Sequence, residues 1–73
     1  MRYIIADKTK ASDAGINLLG HRTNGNLVIL NEKEVMMSPS LNGDLEKRCV
    51  AILGTCYTRD GIEDALREGG WNG

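Results

Sequence analysis

Three side chains in this chain can act as base, nucleophile or soft ligand near neutral pH: His21, Cys49 and Cys56. A lone histidine serves as a general base when a carboxylate orients it and a nucleophile lies close by. His21 stands beside Arg22, and no spacing links it to an Asp or a Cys, so it reads as a solvated residue on an edge strand. Cys49 and Cys56 are seven residues apart. They form no C-x-x-C pair, and no second histidine completes a four-ligand zinc set. That spacing suits neither metal nor redox work. Cys49 belongs to an apolar helix face, where thiols are inert core atoms, while Cys56, beside Tyr57 and near Arg59, is the more reactive of the two.

The carboxylates Glu32, Glu34, Asp44, Glu46, Glu63, Asp64 and Glu68 read as caps and solvated faces, and no D-x-D-x-D-G calcium loop is present. The stretch from Gly20 to Asn26 offers donors for an anion, but it lacks the G-x-x-x-x-G-K-[ST] spacing of a phosphate loop. No catalytic residue, metal ligand or cofactor is therefore expected. An enzyme using Cys56 or His21 is the least supported reading.

The elements that must carry these residues follow from patterning. Tyr3-Ile4-Ile5-Ala6 is a short continuous apolar run, which predicts a central strand. A short helix is expected from Ala11 to Gly20, capped by Ser12, with Ala11, Ala14 and Leu18 on one face. Asn24-Gly25 predicts a type I′ hairpin turn joining a polar edge strand, Gly20 to Thr23, to the apolar strand Asn26 to Leu30. After Asn31-Glu32-Lys33-Glu34 the preferred expectation is a tight turn into a short strand at Val35-Met36-Met37. A helix capped by Asn31 is the alternative, and Pro39 ends either one.

Ser40 to Gly54 is expected to be helical, with Leu41, Leu45, Cys49 and Ile52 or Leu53 on its inner face and Asp44 capping a start at Leu45. A buried strand over 49–53 is the alternative. Thr55-Cys56-Tyr57 reads as an extended link. The last helix is capped by Thr58 or Asp60, carries Ile62, Ala65 and Leu66 as its stripe, and stops at Gly69-Gly70. The expected fold is a small α+β domain over residues 1–70. It has a three- to four-stranded, mainly antiparallel sheet and two to three short helices, in the order strand, helix, two strands, an optional strand, two helices. Residues 71–73 form a flexible tail, from which Trp71 either folds back as a lid or hangs free.

Composition bounds the remainder. The chain has 73 residues, no Phe, two Tyr and one Trp, so its core is aliphatic and small for one domain. Such a core invites help from a partner subunit. Net charge is −1. No apolar run is long enough for a membrane span or a signal-peptide core. A reduced, cytoplasmic protein with two structural thiols is expected.

The leading functional expectation is a non-enzymatic accessory protein acting through a protein partner or self-association. Its surface is placed at the edge His21, Arg22 and Thr23, where a partner strand could add by β-augmentation. Met36 and Met37 offer a second, soft contact surface, although such methionines more often fill core gaps. The alternative is a nucleic-acid-binding accessory factor using Arg2, Lys8, Lys10 and Arg22.

Overall fold

A computed structural model describes residues 1–71 of the chain. Its first strand, β1 (Tyr3–Asp7), alternates strictly: Ile4 and Ala6 are fully buried, and Tyr3, Ile5 and Asp7 are half-buried. The chain continues through α1 (Lys8–Asp13), β2 (Thr23–Asn24), β3 (Leu27–Asn31), α2 (Glu32–Met37), α3 (Leu45–Ala51), β4 (Thr55–Tyr57) and α4 (Arg59–Glu68). The strands form one antiparallel sheet in the order β2-β3-β1-β4. The fold is thus a small α+β domain with four strands and four helices among the described residues.

Register sorts the side chains onto two faces, because residues directly opposite each other point the same way. On one face Ile4 opposes Leu30, and Ala6 opposes Val28. With Ala11, Ile16, Val35, Leu41, Cys49 and Ile52 they make the core, covered by α1, α2 and α3. On the other face lie Tyr3, Ile5, Ile29 and Tyr57, with Tyr3 opposite Tyr57. α4 crosses this second face. It leaves β4 at one edge, and its Gly69 carbonyl accepts from Asn24 Nδ2 on β2, the other edge. A helix of 10 residues rises about 15 Å. Four strands separated by about 4.8 Å place the outer two about 14 Å apart, so the helix and the sheet width match.

Each helix begins on a side-chain cap. Asp7, Asn31, Asp44 and Thr58 accept from the backbone N–H groups of Lys10, Glu34, Lys47 and Gly61, each satisfying an otherwise unpaired donor. Asp44 is the expected cap, and of the two weighed for the last helix, Thr58 and Asp60, it is Thr58 that caps. Asp7 is not an expected cap. Its carboxylate starts the first helix five residues before Ser12, and Gly15, at φ 81°, lies just beyond its end. The segment after β3 also departs from the preferred strand. Asn31 caps a helix instead, and one turn of it buries Val35 while Met36 and Met37 stay exposed. The hairpin register pairs Asn24 with Leu27, leaving Gly25-Asn26 as a two-residue loop. Only Gly25 has positive φ, as in a type II′ rather than a type I′ turn. Thr55-Cys56-Tyr57, expected as a link, pairs with β1 and supplies the fourth strand.

Three helices end in the same six-residue reversal; after α1, Ile16 N–H donates to the Ala11 carbonyl and Gly15 N–H to that of Ser12, with Gly15 at φ 81°. At the end of α4, Trp71 N–H donates to the Leu66 carbonyl and Gly70 N–H to that of Arg67, with Gly70 at φ 74°. At the end of α3, Gly54 N–H donates to the Cys49 carbonyl and Leu53 N–H to that of Val50, with Leu53 at φ 53°. All three are Schellman motifs, but after α3 the left-handed position is held by leucine. Trp71, half-buried, belongs to the motif after α4. Residues 72–73, the remainder of the expected tail, lie outside the described residues.

Candidate functional site

Two clefts flank the sheet. The first, of about 440 Å³, lies where α4 passes over Tyr3 and Ile29 and meets α2 and the loop before β2. The sheet contributes the floor, Ile62 and Leu66 of α4 form one wall, and His21, Arg22, Glu34, Arg59 and Glu63 stand around it. His21 is not the solvated edge residue expected. Its Nε2 contacts Glu34 Oε2, and both side chains are largely covered. The other ring nitrogen, Nδ1, lies 3.2 Å from the Leu19 carbonyl oxygen. Glu34 occupies the N3 position of α2, where a glutamate often turns back to its own cap; here it reaches His21 instead.

This arrangement decides what the histidine can do. In a catalytic pair the carboxylate holds one ring nitrogen, and the other faces the substrate. Here both nitrogens face protein acceptors. The imidazolium donates to both and the neutral ring to one. In either form both ring nitrogens are directed at protein oxygens rather than into the cleft. The pair fastens the loop before β2 to α2.

The second cleft, of about 420 Å³, lies between α3 and β4, with Arg2 at its rim and Leu45, Cys49, Val50, Gly54 and Cys56 among its walls. Cys56 is opposite Ile4 in register, so its side chain points to the core face, where α3 packs. Cys49 is buried and Cys56 half-buried, and both are free thiols. Burial, and after it the neighbouring Cys56 side chain, pushes the Cys49 thiol up to about 11. A spacing of seven that suited no redox chemistry in the linear sequence thus becomes a contact, because the Leu53-Gly54 reversal folds β4 back beside α3.

The remaining predicted residues are distributed differently. Arg2 lines the cysteine cleft and Arg22 the histidine cleft. Lys8 and Lys10 belong to α1 and line neither, so the four basic residues share no common cleft. Thr23 sits in β2 and is exposed. Met36 and Met37 are exposed rather than core-filling. Glu34, Arg59 and Tyr3 complete the first cleft without any signal in spacing. Only the Asn31-capped helix, weighed as an alternative, hinted that Glu34 would be held in place.

Among the described residues no group of three His, Cys, Asp or Glu side chains could hold a metal ion, and no helix is long and apolar enough to cross a membrane. No family model matches the chain, and no curated protein or solved structure is significantly similar to it.

Proposed function

We propose that this chain is a non-enzymatic interaction protein whose protein partner docks along the free edge of β4, beside the C-terminal turn of α3. Leu53 carries the reading. It holds a left-handed backbone conformation, φ 53°, while the residue is 64% exposed. A leucine there costs about 1 kcal/mol against glycine, and an exposed side chain returns little to the fold. Strain retained at an exposed apolar residue supports a contact made outside the chain. Val50, in the last turn of α3, is 69% exposed and adds a second exposed apolar residue at this end of the helix.

The neighbouring strand suits the same role. Apart from its ladder with β1, β4 makes no backbone hydrogen bond among the described residues. Its three residues offer a longer edge than the two of β2, where Asn24 is tied to the end of α4. A partner strand would gain main-chain hydrogen bonds along β4 and apolar contact with Val50 and Leu53. The occupied nitrogens of His21 support the non-enzymatic part of this reading.

Photo-crosslinking tests it. A benzophenone side chain at position 50, in cells producing the chain, is expected to give a discrete protein adduct that the same group at Glu63 on α4 does not give. A discrete adduct of twice the chain's mass would identify the partner as a second copy. Equal adducts from both positions, or none from position 50, would overturn the proposal.

A further inference from the structure

The cysteine cleft supports an inference that needs no partner. We propose that Cys49 and Cys56 form a built-in dithiol that low-molecular-weight disulfides oxidise to an intramolecular disulfide.

Three geometric observations support this independently of one another. Cys56 opposes Ile4 across the β1–β4 ladder, so its sulfur is on the face covered by α3. Cys49 is on α3 in the same apolar cluster, against which Cys56 packs. Both thiols line one cleft open to solvent, with Arg2 at its rim. The backbone between them is held in place as well. Gly54 N–H donates to the Cys49 carbonyl at 2.7 Å, and Asp7 N–H donates to the Ile52 carbonyl at 3.0 Å, tying the reversal to β1. The backbone segments that carry the two cysteines are therefore already fixed relative to each other.

Exposure assigns the order of events. Cys56 is half-buried and Cys49 is 4% exposed, so a reagent in the cleft meets Cys56 first. The Cys56 thiol gives its proton to water, and the resulting thiolate attacks one sulfur of the disulfide R–S–S–R. The Sγ–S bond forms, the S–S bond of the reagent breaks, and RS⁻ leaves with the electron pair and takes a proton from water. Cys49 then gives its proton to water and attacks Sγ of Cys56, displacing the second RS⁻, which is protonated in turn. Two cysteine thiols are oxidised and one R–S–S–R is reduced to two R–SH. The burial that keeps the Cys49 thiol protonated makes it a poor first attacker and leaves it in place for the second step.

The test uses oxidised glutathione on the reduced protein, followed by alkylation under denaturing conditions and intact-mass measurement. The expected product has lost two hydrogens, carries no glutathione, takes up no alkylating group and runs as a single chain on a non-reducing gel. The Cys49→Ser and Cys49→Ala variants are expected to retain glutathione on Cys56, with at least ten times the mixed disulfide seen in the wild type. The wild-type mass decides the matter even if both variants unfold. Glutathione persisting on wild-type Cys56, chains cross-linked through Cys56, or two fully alkylatable thiols after prolonged oxidation would each overturn the proposal.

Discussion

Ile4 occupies the space a side chain on Gly54 would need: a Cβ built on Gly54 lies 2.7 Å from Ile4 Cγ2. Ile4 is fully buried in β1, so it has nowhere to move. Glycine is therefore required at position 54 for close approach, one residue after the position where a Schellman turn normally takes it. Leu53 is left to adopt the left-handed conformation. Substitutions at these adjacent positions should have opposite signs. Leu53→Gly should stabilise the fold by up to about 1 kcal/mol, less the entropy that glycine restores to the unfolded chain. Gly54→Ala should destabilise it by about 2 kcal/mol or more through overpacking. Urea denaturation checks both, and a destabilised Leu53→Gly would show that the leucine packs after all.

The contact between His21 and Glu34 should appear as coupling between them. The pair is partly covered and joins two segments 13 residues apart, so a double-mutant cycle over His21→Ala and Glu34→Ala should give about 0.5–1.5 kcal/mol. Zero coupling by thermal or urea unfolding would mean that the contact does not form in solution.

Asp7 and Asp44 cap helices alike, but their carboxylates carry different loads. Asp44 accepts from Lys47 N–H at 2.9 Å. Asp7 accepts from Lys10 N–H at 2.9 Å and also from Asn26 Nδ2 at 2.7 Å, fastening the hairpin loop to the end of β1. Asp44→Ala should cost about 1 kcal/mol. Asp7→Ala should cost about 1 kcal/mol more, a ranking that chemical denaturation of the two variants reads directly.

The Cys49 thiol sets a pH dependence. Its pKa rises from 9.0 to about 11 in the fold, chiefly by burial and then through Cys56. The folded state therefore holds that proton more tightly than the unfolded state. The associated stability is complete below about pH 9 and is lost progressively as pH climbs to about 11. Comparing the wild type with Cys49→Ala across this range isolates the contribution, expected to be on the order of 2 kcal/mol. Parallel pH profiles for the two proteins would refute it.

Local chemistry made part of this molecule readable in the linear sequence. The apolar run Tyr3 to Ala6, the Asp44 and Thr58 caps and the Gly69-Gly70 stop are decided within a few residues, so propensity, capping and turn preference suffice. The structure departs from the linear pattern where local signals compete or are too short to decide. Asn31 is equally good as a turn residue and as a helix cap, and only burial of Val35 against the sheet selects the cap. Thr55 to Tyr57 is too short to announce a strand by itself, and it becomes one because β1 offers an open edge.

The α+β class, the aliphatic core and the missing metal and phosphate motifs were all determined by the sequence alone, since each depends on composition or short-range spacing. The meeting of His21 with Glu34 and of Cys49 with Cys56 was decided only by the tertiary structure. Both contacts join different elements, and chain spacing carries no distance across a fold. One pair is made by α2 turning back on the loop before β2, the other by a leucine-borne reversal that returns β4 to α3. The residues with the most chemistry thus owe their partners to the long-range path of the backbone.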